Sequence, residues 1–245
     1  MKSASKMFAV LESLCEDGDA GVSELALKLE LPKSSIFRFL SVLVENGYVK
    51  AGKKYQATLK TFRLGVMVRD RIDVVGVARP VMENLGKQVN ETISLGFFDN
   101  NEVVYIHKVE SSETVQSNYT VGCRMGAYCT AQGKVFLANL TPSEFEVYLE
   151  TVKLESRTQN TIISTEKLLE EIRFIQTHGY GIDDGEYDSH NKCIAAPIRN
   201  ELGRCVSALS ISGPDFRMGR NRINELSKEI IMASGMISKH LGYRN

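Results

Sequence analysis

Six polar or aromatic side chains between residues 33 and 41 have the chemistry needed to read a nucleic acid. Helical spacing places an apolar stripe on one side of this segment, at Ile36, Phe39, Leu40 and Leu43. The opposite face carries Lys33, Ser34, Ser35, Phe37, Arg38 and Ser41. Arginine can bond guanine with two hydrogen bonds, serine can bond base edges or phosphates, and phenylalanine can contact a thymine methyl group. This face therefore predicts a helix that enters the major groove of DNA.

The flanking residues predict the elements that would position this helix. Ser23 stands where it could cap a shorter helix, and Leu31-Pro32 ends that helix because proline disfavours the α conformation of the preceding residue. Asn46-Gly47 ends the second helix. Residues 48–56 then read as two β-prone pieces around a basic turn, a wing whose lysines can meet phosphates.

A first helix, with Val10 and Leu14 in its apolar stripe, completes a winged helix-turn-helix over residues 1–58. Its predicted DNA contacts are Ser23, the six residues of the polar face (Lys33, Ser34, Ser35, Phe37, Arg38, Ser41) and three wing lysines (Lys50, Lys53, Lys54). The alternative is a pair of core-packing helices in an ordinary helical domain, since polar faces are common on surface helices.

Charge and cysteine usage limit the class of protein. The 245 residues include 30 basic and 30 acidic side chains, but residues 48–71 hold seven basic side chains against one acidic, a local basic stripe of the kind that suits DNA. Five cysteines without a C-x-x-C motif favour a reducing compartment. The N-terminus reads as an amphipathic helix and not a signal peptide, and no apolar run is long enough for a membrane span, so we expect a cytoplasmic protein.

The remaining chain predicts a helical linker, residues 59–77, with a domain boundary near Arg71, followed by an α+β domain over residues 78–245. The pattern predicts a helix from Pro80, a helix that follows residues 130–134, helices capped by Thr141 and Thr165, and a final helix over residues 219–241. The expected strands of an antiparallel sheet are residues 92–99, 103–109, 115–121, 181–186, 193–199 and 204–212, with a loop at 122–127.

Three of these strands and a helix start hold candidate ligand contacts. Period two places Ser210 and Ser212 on one face with Ala208, opposite Leu209 and Ile211. Small Cys193 and Ala195 share a face of the neighbouring strand, Ala131 and Gly133 allow close approach at a helix start, and Asp183 offers an acceptor. Together they predict a small polar-ligand pocket. The alternative is that the serines face solvent and that the small residues mark tight sheet–helix packing.

Catalysis is a weaker interpretation. Cys193 or Cys129 could act as a nucleophile with a histidine base drawn from His107, His178 and His190. However, His190 precedes Cys193 by three residues, which in one strand puts the two on opposite faces. The histidines and cysteines lack zinc-ligand spacing, and no phosphate-binding glycine motif occurs. We therefore expect no enzyme, no cofactor and no metal; the alternative is a cytoplasmic enzyme or redox sensor with a helical docking domain.

Four segments together resemble the IclR-type bacterial transcriptional regulators, over about residues 6–241. They are LPKSSIFRFLSVLVENGYV, YCTAQGKVFLANL, GYGIDDGEYD and CIAAPIRNELGRCVSALSISGP. The resemblance implies a winged helix joined by a helix to a GAF-like effector domain. It also implies a homodimer or dimer of dimers, mostly a repressor, that binds a palindromic double-stranded DNA operator under the control of a small organic-acid or sugar-acid effector.

The resemblance also assigns the effector contacts. The loop backbone at Ala131 and Gln132 takes the acid group, and Ser210 and Ser212 take its oxygens. Asp183 and Cys193 complete the implied effector site. Many relatives carry glycine or alanine where this chain has Gln132, which narrows the pocket, and Tyr128-Cys129 also departs from the common pattern.

Overall fold

The computed structural model describes residues 3–69, 73–117 and 119–244. The chain divides into two compact units, residues 1–71 and 72–245. The predicted domain boundary near Arg71 lies outside the described residues. Among the described helices, none is long and apolar enough to cross a membrane.

The N-terminal unit is a three-helix core with a two-stranded wing. Its elements are α1 (Ser3–Glu16), α2 (Val22–Lys28), α3 (Lys33–Glu45), β1 (Val49–Ala51), β2 (Tyr55–Ala57) and α4 (Leu59–Arg69). The predicted stripe of α3 is buried, and it packs with Val10, Leu14 and Leu25 from the first two helices. Antiparallel pairing of β1 with β2 forms the predicted wing, which Ala20 extends by bonding Tyr55. The predicted helix-turn-helix and wing are therefore confirmed.

The predicted cap of α2 is wrong by two residues. Helix α2 begins at Val22, after Gly21 in an extended conformation, so Ser23 lies inside the first turn. The Glu24 carboxylate accepts a 2.7 Å hydrogen bond from the Gly21 backbone N–H, which supplies the terminal contact that Ser23 was expected to make. Ser23 is left exposed on the surface.

The helix predicted to begin at Pro80 begins earlier, because α5 spans Asp73–Val89 with Pro80 inside it. Proline removes one internal hydrogen bond. Burial of Ala78, Met82 and Leu85 against the sheet offsets that loss, since tertiary packing supplies most of a helix's stability.

The C-terminal unit contains a six-stranded antiparallel sheet in its described residues, in the order β5-β4-β3-β8-β7-β6. The strands are β3 (Thr92–Asp99), β4 (Glu102–Val109), β5 (Arg124–Gly126), β6 (Gly181–Asp184), β7 (Asn191–Arg199) and β8 (Cys205–Pro214). Asn100 and Asn101, both left-handed, form the predicted hairpin turn between β3 and β4.

Helices cover both faces of this sheet. They are α5, a short 3-10 helix (Ala127–Cys129), α6 (Ala131–Leu137), α7 (Pro142–Thr151), α8 (Thr165–His178) and α9 (Arg220–His240). Leu209 and Ile211 share one apolar core with α5 and α9, whereas Ala195 and Ala208 belong to a second core with α6 and α8. The predicted alternation of faces along β7 and β8 is confirmed.

Two further predictions fail locally. No strand forms over the described part of residues 115–121; the edge pairing comes instead from β5, in the segment predicted to be a loop. In residues 115–121, Ser117 and Tyr119 make side-chain hydrogen bonds to Asn191 and Ser94 in place of backbone strand pairing. Helix α8 is capped by Ser164 and not by Thr165, because the Ser164 hydroxyl accepts from the Lys167 N–H.

Candidate functional site

The polar face of α3 is presented to solvent. Lys33, Ser34, Phe37, Arg38 and Ser41 are exposed, and Ser35 is half-buried. Phe37 is 57% exposed, so its ring is accessible from solvent. The Ser41 hydroxyl donates to the Phe37 carbonyl at 2.9 Å and keeps its acceptor capacity. The structure therefore brings the predicted reading residues together on one accessible face.

The wing lysines are also exposed but differ in their contacts. Lys54 Nζ pairs with Glu24 at 2.8 Å, whereas Lys50 and Lys53 have no ion pair among the described residues. Glu24 therefore joins α2 to the wing, a contact between residues 30 positions apart that the sequence pattern did not predict.

A cavity of about 200 Å³ lies in the C-terminal unit, beside the sheet face that carries α6. Two of the predicted effector residues line it, Asp183 and Cys193. The other lining residues are Tyr105, Val115, Gln116, Ser117, Tyr119, Met125, Thr130, Tyr187, Asp188, His190, Asn191 and Pro214. Ala131 is buried next to Thr130 at the start of α6.

The remaining predicted effector residues, Gln132, Ser210 and Ser212, do not line this cavity. The Gln132 side-chain amide donates to Ser210 Oγ at 2.8 Å and to the Ser94 carbonyl at 3.0 Å. Ser212 Oγ lies 3.2 Å from the hydroxyl of Tyr119. Each of the two serines therefore already has a partner from within the protein.

Tyr119 is a site residue that the sequence pattern missed. Its hydroxyl bonds Ser94 Oγ at 2.6 Å as well as Ser212, and its ring lies 4.8 Å from that of Tyr105. Lys108 Nζ donates to the backbone carbonyls of Ser117 and Tyr119, at 3.3 and 3.1 Å, and fixes this segment over the cavity. No periodic pattern could signal this role, because Tyr119 lies outside helices and strands.

Buried charge borders the cavity. Burial, reinforced by the nearby Glu186 carboxylate, raises the pKa of Asp183 to about 7, while the Glu186 N–H donates to its Oδ1 at 2.7 Å. Lys134 is 1% exposed and pairs with Glu186 and, at 3.2 Å, with Glu171 of α8. Burial lowers the pKa of Lys134, but the two glutamates outweigh it and raise the pKa overall, so Lys134 stays charged.

The glycine at the start of α6 permits its close packing. A Cβ at Gly133 would overlap the Ala127 backbone, so only glycine allows α6 to approach the 3-10 helix this closely. The Thr130 hydroxyl accepts from the Gly133 N–H and caps α6. The group that approaches Gly133 is the protein's own backbone, and the predicted approach of a ligand to this helix start stays a prediction.

The cysteines near the cavity are held as thiols. Burial is the main cause that raises the pKa of Cys193 far above its ordinary value and that of Cys129 to about 12. The prediction that His190 and Cys193 face apart is wrong: both line the cavity, because His190 precedes β7 and strand alternation does not extend to it. Within the described residues, no cluster of His, Cys, Asp or Glu could hold a metal ion.

A winged helix-turn-helix with an exposed reading face, followed by an α+β unit with a small cavity lined in part by Asp183 and Cys193, defines a DNA-binding regulator that senses a small molecule. The IclR helix-turn-helix model matches residues 3–51, and the model of the C-terminal part of the bacterial transcriptional regulator IclR matches residues 66–239. The chain therefore belongs to the IclR family of bacterial transcriptional regulators. The predictions of family, α+β fold and DNA-binding transcriptional regulator are confirmed.

Relatives agree with this assignment over almost the whole chain. The HTH-type transcriptional regulator KdgR of Escherichia coli is 35% identical over 100% of this chain and 94% of KdgR. The HTH-type transcriptional repressor AllR of E. coli is 28% identical, over 93% of this chain and 88% of AllR. The crystal structure of Thermotoga maritima IclR is 32% identical with a TM-score of 0.81, over 98% of each chain.

Proposed function

We propose that this regulator is a cytoplasmic, homodimeric repressor that leaves or binds a palindromic operator in response to a small carboxylic acid. Repression is supported by the relative AllR, which is a transcriptional repressor. A cytoplasmic location follows from the need to reach DNA. We propose no enzymatic activity, because the thiols beside the cavity are protonated and the relatives are regulators of transcription.

DNA reading is assigned to α3 and phosphate contact to the wing. Arg38 is the residue on the exposed face that can discriminate a base by two hydrogen bonds, and Phe37 is placed beside it for a thymine methyl group. Lys33, Lys50, Lys53 and Lys54 supply charge toward phosphates, and the serines Ser23, Ser34, Ser35 and Ser41 supply short hydroxyl contacts.

Dimerisation is supported by one observation in the N-terminal unit. Helix α4 exposes Leu59, Phe62 and Met67 by 82%, 67% and 43%. Leu59 and Phe62 are three residues apart, so their side chains lie on the same side of α4. Contiguous exposed apolar residues mark interaction sites, and a second copy of the chain would cover them while setting the half-site spacing.

The effector is assigned to the cavity beside Asp183 and Cys193. The backbone at Ala131 and Gln132 is the proposed receptor of the acid group, next to the cavity-lining Thr130. Ser210 and Ser212 lie behind Gln132 and Tyr119, so they can join the site only by exchanging a partner. The observation that carries the proposal is this cavity of about 200 Å³, which combines a mainly apolar lining with the polar side chains of Asp183, Ser117 and Asn191.

Control requires only a modest free energy. An effector that favours one placement of the paired reading helices by 1–3 kcal/mol changes operator affinity roughly 5–150-fold. We propose that the predicted linker, residues 59–77, transmits this preference from the effector cavity to the reading helix.

A direct test first selects an operator from random duplex DNA with the full-length protein. Fluorescence anisotropy then measures operator affinity across a panel of small organic and sugar acids. We expect one chemical class to change the affinity by at least about fivefold. Unchanged affinity with every acid would contradict the effector class, and failure to select any duplex would contradict operator binding.

A further inference from the structure

Three serine hydroxyls form a row behind the cavity, and the protein itself satisfies all of them. Ser94 on β3 pairs in register with Ser210 on β8, and Ser212 follows two residues later on the same face. The three residues are 0%, 2% and 1% exposed. Tyr119 bonds Ser94 and Ser212, whereas Gln132 bonds Ser210. A ligand in the cavity therefore meets Tyr119 and the α6 start before it meets the row.

Two hydrogen bonds donated by its side-chain amide hold Gln132 in place, and a glycine beside it leaves room for the amide. Its amide nitrogen bridges Ser210 Oγ and the Ser94 carbonyl, which joins α6 to both β3 and β8. A Cβ at Gly96 would overlap Gln132 Oε1, so glycine at this position makes room for the amide.

The same side chain is costly for folding. Its Oε1 atom is buried without a hydrogen-bond partner among the described residues. An unsatisfied buried acceptor lowers stability, and such groups are concentrated where function requires them. An apolar side chain of similar volume would avoid that cost but would leave the buried Ser210 hydroxyl without its Gln132 partner.

We infer that Gln132 is a specificity-determining residue that seals Ser210 from the cavity and sets an upper limit on the length of the effector. The inference rests on the proposed effector site and refines it. Without the Gln132 amide, the cavity could extend from Thr130 to Ser210, adding room and a free hydroxyl at its inner end. With it, the ligand is confined between Tyr119, Thr130, Asp183 and Cys193.

The test uses a graded series of aldonic acids, from the three-carbon glycerate to the six-carbon gluconate, titrated into the full-length protein by calorimetry. We expect the wild type to bind members up to a limit and to lose about tenfold or more in affinity for each carbon beyond it. Gln132→Ala should move that limit up by at least one carbon. Gln132→Met, which keeps the volume but removes the donor, should leave the limit where it is.

The outcomes separate the two proposals. One limit shared by the wild type and the Ala variant would overturn the inference, as would a limit that moves equally in the Met variant, because volume would then not be the cause. If the Ala variant melts below the assay temperature, Gln132→Val repeats the test with another side chain that is shorter than glutamine. Binding of no acid by any of these proteins would overturn the proposed effector class and the inference with it.

Discussion

The two units treat their polar groups in opposite ways. On the reading face of α3, Arg38, Ser34 and Lys33 are exposed to solvent and are available to contact DNA. Around the cavity, Ser210 and Asp183 are buried and already have partners from within the chain. DNA binding can therefore add contacts to a face that is ready, whereas the effector has to exchange contacts that already exist.

This difference explains how one chain can bind DNA with high affinity and still release or gain that affinity when a small effector binds. An exposed face gains most of its affinity from charge and from base contacts. A cavity whose hydroxyls are satisfied gains only the difference between old and new hydrogen bonds, which is small for each bond. Such a cavity discriminates by fit and shifts an equilibrium by the modest free energy that control requires.

The largest expected effect tests whether the buried charges of the sensor depend on each other. Lys134→Met leaves Glu186 buried without its counter-ion, which should destabilise the C-terminal unit by about 3–5 kcal/mol. Urea unfolding measures the loss. Glu171→Gln is the matched control: Glu171 is 36% exposed, and its removal should cost less than about 1 kcal/mol. Equal losses in both variants would show that burial of the partner is not the cause.

Arg38 tests the opposite property on the reading face. Arg38→Ala should leave stability unchanged, because the side chain is exposed, but reduce discrimination between the operator and a mismatched duplex by about 1–3 kcal/mol. Competitive anisotropy with the two duplexes measures this. Equal weakening on both would instead identify a phosphate contact, and Arg38→Lys, which keeps the charge, separates the two roles.

The pH dependence of stability tests whether burial of Asp183 affects folding. Its pKa in the folded protein is about 7, raised mainly by burial above the ordinary 3.8, so ionisation of Asp183 opposes folding. The stability that its neutral form contributes is complete below pH 3.8, falls as the pH rises, and is lost once the pH passes about 7.

Asp183→Asn is neutral at every pH and keeps an acceptor for the Glu186 N–H. We expect its stability advantage over the wild type to grow between about pH 4 and pH 7 and to be constant above, reaching more than about 1 kcal/mol. Thermal unfolding across this range measures the difference. An advantage independent of pH would exclude ionisation of Asp183 as the cause.

The sequence was sufficient for the parts of the molecule in which local pattern decides structure. The buried stripe of α3, the wing and the alternating faces of β7 and β8 follow from periods of 3.6 and 2, which one segment carries alone. The start of the helix through Pro80 was predicted wrongly because packing overrode local propensity. A strand was also predicted at 115–121, but none forms over the described part of that segment, where side-chain contacts take the place of strand pairing.

The sensor was only partly predictable, for the same physical reason. Asp183 and Cys193 were placed correctly beside a cavity, since strand alternation determines where they face. The partners that occupy Ser210 and Ser212 come from 78 and 93 residues away, and one of them lies in an irregular segment. Such distant pairs leave no periodic pattern in the sequence. The sequence could therefore identify Ser210 and Ser212 as candidates but could not predict that their hydroxyls are already hydrogen-bonded. The contacts to DNA and effector stay predictions.

The smallest expected effect is on DNA binding by the wing lysines. Lys54 differs from Lys53 because it already pairs with Glu24 at 2.8 Å. Lys53→Ala should weaken binding to all duplexes alike and reduce the slope of log affinity against log salt by about 1, as loss of one phosphate contact does. Lys54→Ala should change the slope less, because binding must first separate Lys54 from Glu24. Glu24→Gln should release Lys54 and strengthen binding slightly at low salt, while its amide oxygen can still accept from the Gly21 N–H. Equal slopes for the two lysine variants would mean that the ion pair with Glu24 does not restrain Lys54.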